Sequence, residues 1–408
     1  MSLRITITSF MAVLALGLPL LLPPAFGDVP AAAESTGAAD VQKLIAQLGD
    51  AKFANRKSAG EKLAKIGLPA YQALEDATRD DDREIRFRAE KILSVIRQND
   101  LNRRLTIFLA SLDSPEDRSL PSWSRFKAAY GNTAVTRTLF VEMQRAEGEL
   151  LAQLHAEPRQ ATELLGKRAL ALALEQNRLN RSGSTLPLGQ ISAVYFVAGE
   201  SDVKPSSNTI ALLLQLATQP TYHGAAVPGN STDKQAVEKA AATRKLLGAV
   251  IARAEDSAIQ EAVRIAALYD LKEGLAPALK MLETTRRLNF TMQQAMLLVV
   301  KYGDETHLPA LEKLFTDNTL LSTNSSGGVR REIQVRDSAL AAAVLMTKQD
   351  LKDYFDLPTN LGTPLGMQGK GILSTAYLTA GFTSDDLRMK SFKQWDAFKA
   401  KRAAEPKK

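Results

Sequence analysis

Three histidines, His155, His223 and His307, are the only imidazoles in the chain. An imidazole can ligate a metal or carry a proton near neutral pH. A helical metal pair needs two of them three or four residues apart, and no two stand that close. His223 lies in Thr221-Tyr222-His223-Gly224, where a lone histidine reads as exposed rather than as a ligand. Asp80-Asp81-Asp82 sets three carboxylates in a row. A calcium loop instead spaces its oxygen ligands and ends on a glutamate. The aspartate run therefore reads as an inter-helix turn that caps the following helix. The chain contains no cysteine, which excludes thiolate catalysis, cysteine-ligated iron–sulfur clusters and thioether haem attachment.

Gly-x-Ser-x-Gly, Walker and Gly-x-Gly-x-x-Gly motifs are absent from the sequence. Gly362, Gly366, Gly369 and Gly371 form a glycine-rich stretch with no Gly-Lys-Ser/Thr ending, so it reads as a loop. No residue is assigned to a catalytic, cofactor-binding or metal set, and no cofactor is expected. The 45 acidic residues include enough carboxylates for a hydrolytic pair, but such a pair is defined in space rather than along the chain. The formal charge is +7. Without a dense Lys/Arg tract interleaved with aromatics, that charge reads as a matter of solubility, and no nucleic-acid partner is expected.

The elements that would position any site are helical. The stretch Glu261 to Phe315 organises the rest. Ala262, Ile265, Ala266 and Tyr269 stand at i, i+3, i+4 and i+7. Leu275, Ala278, Leu279 and Leu282 follow the same spacing, as do Ala295, Leu298, Val299 and Tyr302. Each set lays an apolar stripe on one face of a short helix. Helices of about three turns are marginal alone and require packing on neighbours. Pro277-Ala278-Leu279-x-x-Leu282 recurs as Pro309-Ala310-Leu311-x-x-Leu314, with a variant at Pro69-Ala70-Tyr71-x-x-Leu74. The proline opens a helix, where its missing N–H costs nothing. Gly67, Gly274 and Gly303 precede these copies and suit the end of the helix before. Arg-x-x-Ala appears at Arg56, Arg86, Arg264 and Arg336, and in the first two copies an aspartate, Asp50 or Asp80, lies six residues earlier.

Asp, then (Val/Ile)-Arg-x-x-Ala, then Gly-x-Pro-Ala-x-x-x-Leu resembles the HEAT repeat, an α-solenoid unit of two antiparallel helices. The spacing of 30 residues from Arg56 to Arg86 is shorter than the roughly 40 to 47 of standard HEAT units and is closer to short HEAT-like repeats of bacterial proteins. The resemblance covers residues 40–98 and 234–348. It implies an all-α solenoid of antiparallel helix pairs with a structural ladder of Asp50, Arg56, Asp80, Arg86, Arg264 and Arg336. Ala258 and Arg330 replace the aspartate in the last two copies. Tyr354-Phe355 together with the Trp395 segment resembles exported bacterial helical-repeat proteins without an assigned activity.

In chain order, residues 1–27 read as a secretory signal: Arg4, an apolar run from Ile5 to Leu22, then Ala25-Phe26-Gly27 before Asp28. Pro19, Pro23 and Pro24 argue against a retained spanning helix. The protein is expected in the periplasm, outside the cell or at the envelope, with no transmembrane segment after cleavage. Residues 28–39 read as a flexible leader, 40–98 as the N-terminal repeats, and 99–233 as an irregular helical middle region. Ile191 to Ala198 within it fits a buried helix better than a strand. Residues 234–348 read as the C-terminal repeats, interrupted by a loop insertion at 316–331. Residues 349–402 read as a loop and a capping helix carrying Phe392, Trp395 and Phe398, and 403–408 as a disordered tail.

Two functions from different classes fit this pattern. One is a scaffold or binding protein that engages another protein or a peptide on a concave face. The other is an exported hydrolase or lyase acting on an envelope polysaccharide, which rests on fold-level analogy alone.

Overall fold

The computed structural model describes residues 37–112, 119–284, 289–326, 328–356 and 380–404. The expected signal segment, residues 28–36 of the leader, the glycine-rich stretch Gly362 to Gly371 and residues 405–408 of the expected tail lie outside them. The described residues are overwhelmingly helical, with seventeen α-helices and one two-stranded sheet. The chain divides into two compact units, Met1–Asn102 and Arg103–Lys408.

The first unit holds α1 (Ala38–Ala46), α2 (Phe53–Ile66), α3 (Tyr71–Ala77) and most of α4 (Arg83–Ala110). Its core follows from the helical period. Val41 and Ile45 stand one turn apart on α1, and Ala59 and Leu63 do so on α2. Leu74 and Ala77 of α3 meet Ile85, Ala89, Ile92, Leu93 and Ile96 of α4 in the same cluster. Fully burying a side chain such as Leu63 stabilises by about 1.5–3 kcal/mol. Gly67 ends α2 at φ 72°, a left-handed conformation that glycine adopts without steric cost. The following Pro69 lies in a short 3-10 turn that leads into α3.

The second unit continues with α5 (Trp123–Tyr130), α6 (Ala134–Ala156), α7 (Pro158–Ser182), α8 (Leu188–Gly199), α9 (Ser207–Gln215), α10 (Pro220–Ala226) and α11 (Lys234–Ile251). The expected buried helix is α8: every residue from Ile191 to Ala198 is buried. It packs tightly on α6. At Gly189, a Cβ would fall 2.3 Å from the Glu142 carbonyl oxygen, so only glycine permits that approach. Trp123 is buried among Phe108, Phe126 and Phe140, at ring distances of 4.8, 6.0 and 5.1 Å. Arg137 lies within the same cluster. Its guanidinium stacks 3.6 Å from the Phe108 ring centroid and donates to the Phe108 and Leu112 carbonyls at the end of α4. Of the apolar residues toward the end of α4 and just beyond it, Leu105 and Phe108 are buried, and Leu109 and Leu112 exposed.

Next come α12 (Ile259–Tyr269), α13 (Leu275–Thr284), α14 (Asn289–Tyr302) and α15 (Leu308–Glu312). Ala262, Ile265, Ala266 and Tyr269 are buried, as are Ala295, Leu298 and Val299. The segment expected as a loop insertion at 316–331 instead contains strand β1 (Leu320–Ser326), antiparallel to β2 (Val329–Gln334). The polar run Ser322-Thr323-Asn324-Ser325 carries no apolar alternation that would mark a strand. The hairpin is held by tertiary contacts: Ile333 is buried, and Glu332 exchanges both backbone hydrogen bonds with Phe382. Two helices follow, α16 (Val335–Met346) and α17 (Asp385–Ala404). The final helix buries Arg388, Ser391 and Trp395. No described helix is long and apolar enough to cross a membrane.

Candidate functional site

The ladder residues come first, because the sequence singled them out. Arg56 Nη1 donates to the Asp50 and Ala51 carbonyls at 2.7 and 3.0 Å. Arg86 Nη1 donates to the Asp80 and Asp81 carbonyls at 2.6 and 2.9 Å. The two arginines thus make the same contact, each tying its helix to the turn before it. The aspartate carboxylates face their own turns. Asp50 accepts from Lys52 N and Asn55 Nδ2, and Asp80 accepts from Asp82 N. Hydrogen bonds from Asn55, then from the Lys52 amide, hold the Asp50 carboxyl below its ordinary value. Asp82 in turn accepts from the Glu84 amide at the start of α4, the capping contact expected of that turn. The link between helices runs from Arg56 to Glu84, at 3.2 Å, and not between the expected aspartates and arginines. Arg264 pairs with Glu261 on its own helix, and Arg336 with Gln334 and Asp385. Neither repeats the turn contact of the first two copies.

A convergence of ionisable groups lies elsewhere, around Asp270. Helix α12 ends there because Asp270 takes a left-handed conformation (φ 55°, ψ 58°) while its amide still reaches back to the Ala266 carbonyl. Aspartate tolerates that region better than most residues. Lys301 and Tyr302, at the end of α14, both reach it. Lys301 Nζ lies 2.6 Å from each carboxylate oxygen. The Tyr302 hydroxyl contacts Asp270 Oδ1 at 2.5 Å and its carbonyl at 2.9 Å. Arg244 on α11 donates to the same carbonyl at 3.0 Å. The neighbouring Tyr269 hydroxyl donates to the Ala217 carbonyl. With that hydrogen engaged, the phenol oxygen accepts from His223 at 3.2 Å, so Nδ1 of His223 carries the hydrogen.

The electrostatics follow from this geometry. Partial burial would raise the Asp270 carboxyl, but hydrogen bonds from Lys301 and Tyr302 and the nearby Arg244 charge outweigh it and hold it below its ordinary value. Burial, followed by the hydrogen bond to Asp270, pushes the Tyr302 phenol up. Asp270 is therefore an engaged anion, and Tyr302 a protonated donor. The arrangement pins the ends of α12 and α14 to α11.

None of Asp270, Lys301, Tyr302 and Arg244 was legible as a site in the sequence. The one available signal was that Tyr269 and Tyr302 stand in the same relation as Ala262 and Ala295, which marks equivalent helix ends. His223 sits on α10 rather than in a loop. His307 lies in a 3-10 turn where it pairs with Asp304. Among the described residues no group of three or more His, Asp or Glu side chains is arranged to hold a metal ion.

No family model matches the chain, and neither a curated protein nor a solved structure is matched by it.

Proposed function

We propose that this chain is an exported helical-repeat scaffold, an α-solenoid of antiparallel helix pairs similar to short HEAT repeats, which binds another protein or a peptide in the periplasm or at the cell envelope. The observation that supports a binding role best is on the first unit. Phe53 opens α2 and is 62% exposed, yet it is flanked by two guanidiniums, Arg56 at 5.8 Å and Arg88 at 5.9 Å from its ring centroid. Phe87, 51% exposed, carries Lys91 at 4.2 Å. An exposed aromatic framed by arginines, as at Phe53, combines residue types enriched at protein interfaces. The repeated turn contact of Arg56 and Arg86 supports the helix-pair reading.

The test is affinity capture from an envelope fraction with the unaltered chain and with a Phe53→Ala/Phe87→Ala variant. Both rings are exposed, so the variant keeps its thermal stability. A partner retained by the first and lost by the second supports the proposal. Identical captures, or none, overturn it.

The competing reading, a hydrolase or lyase acting on an envelope polysaccharide, would centre on Asp270, Tyr302, Lys301 and Arg244. Lys301 and Tyr302 already engage the Asp270 carboxylate, which argues for the binding role over this one. Turnover of an envelope polysaccharide that is lost in Asp270→Asn, with the fold intact, would reverse that preference.

A further inference from the structure

Helix α7 buries one apolar face and exposes two leucines on the opposite one. Ala161, Leu165, Ala169 and Leu172 form the buried one. Beyond Leu172 no α7 residue is buried, although the helix runs on to Ser182 before Gly183 ends it. Directly opposite the buried face stand Leu170, 54% exposed, and Leu174, 64% exposed. Glu163 and Arg181 share that outer line, since at 3.6 residues per turn all four fall within roughly 40° of arc. A surface helix ordinarily carries one apolar stripe. Here a second stripe lies bare, on a helix of about 37 Å.

The outer line is self-complementary. About Leu172 as centre, Leu170 and Leu174 stand two residues to either side, and Glu163 and Arg181 nine residues to either side. Two copies of α7 laid antiparallel across a two-fold axis would set Leu170 against the partner's Leu174, and Glu163 against the partner's Arg181, at both ends at once. This is the isologous arrangement that closed dimers require. Glu163 now pairs within its own helix with Lys167 at 2.6 Å, and both side chains are 72% exposed. A surface pair of that kind is worth little, so exchanging it for a contact with Arg181 of a second copy costs little.

We infer that the outer face of α7 is a homodimer interface whose occupant is the same face of a second copy, packed antiparallel. One helix per protomer is a small contact, so the dimer is expected to be reversible, with dissociation in the micromolar range. This inference does not depend on the binding role of the first unit, because it concerns a helix of the second unit and a different measurement.

Sedimentation velocity of the purified chain across a concentration series tests it. The expected result is a reversible monomer–dimer equilibrium that Leu174→Glu weakens more than tenfold. Glu163→Arg and Arg181→Glu, each alone, place like charges across the axis and weaken the dimer several-fold. The double charge exchange restores it, because both cross-axis pairs are then re-formed with their signs reversed. All three positions are exposed, and circular dichroism of each variant checks that the fold is retained. A monomer at every concentration overturns the inference, as does a dimer indifferent to Leu174→Glu. A double exchange no tighter than its single components overturns the antiparallel register.

Discussion

Asp270 and Asp337 each lie at a helix end with a cation on the carboxylate. Their helices, taken alone, would push them opposite ways. Asp337 sits in the first turn of α16, where the helix dipole favours an anion, and accepts the Gln334 amide in a capping box. Asp270 follows the last residue of α12, where the dipole disfavours one. The outcome is the reverse. The Asp270 carboxyl is held below its ordinary value. The Asp337 carboxyl is pushed above it, because burial outweighs the hydrogen bonds from Arg388 and Gln334. The difference is water. The Arg388–Asp337 pair, at 2.8 Å, has side chains only 3% and 0% exposed, whereas Lys301–Asp270 is partly solvated. Desolvating two charges can outweigh their attraction, while a partly exposed pair keeps some of its hydration. The buried pair acts as a fastening for α17, together with the Ser391 hydroxyl on the Tyr354 carbonyl and Trp395 Nε1 on Glu312.

The comparison can be broken most forcefully at Arg388. Arg388→Met leaves a buried carboxylate unpaired and is expected to cost about 3–5 kcal/mol in urea unfolding. Adding Asp337→Asn should return much of that loss. If the single variant costs under about 1 kcal/mol, the pair is not the fastening described. Lys301→Met should cost only about 1 kcal/mol, because Tyr302 and Arg244 stay on Asp270 and the site is partly solvated. Added salt should narrow the gap between that variant and the parent, and should leave the Arg388 effect nearly unchanged. Tyr302→Phe removes one donor while Lys301 keeps the carboxylate engaged, for a loss of about 0.5–1.5 kcal/mol.

The smallest effect separates the two sites by sign. A depressed folded-state value at Asp270 contributes stability that is present above the ordinary aspartate value of 3.8 and is lost as pH falls through the lower folded value. A raised value at Asp337 does the opposite: stability falls as pH climbs from 3.8 through the folded value. Thermal unfolding followed from below pH 3.8 to above it should therefore show Asp270→Asn removing a loss on the acid side of that value, and Asp337→Asn removing a decline above it. Equal slopes in the two variants would show that burial does not distinguish the sites.

How much of this was legible depends on the element. The stripes through Ala262 and Ala295 were read directly, because a helical period written into neighbouring residues survives packing. The buried helix at Ile191 to Ala198 was legible for a similar reason: a run that is apolar at every position but Ser192 favours the interior. The hairpin at 320–334 was not, since its strands carry polar residues and owe their pairing to Phe382, distant in the chain. The contacts of the arginines were not legible. Arg56 and Arg86 tie their turns through carbonyl oxygens, which every residue possesses and no sequence pattern displays.

By itself, then, the sequence determined what local periodicity can determine: a predominantly helical fold, faces that its helices bury, and the turns at Gly67 and Asp80–Asp82. Only the tertiary structure decided which charges meet. Lys301 reaches Asp270, and Arg388 reaches Asp337, across long stretches of chain, and the sign of each carboxyl's shift was set by how much water the surrounding helices left in place. Local propensity is a property of a few adjacent residues. Desolvation belongs to the whole packed assembly and is written nowhere in the chain.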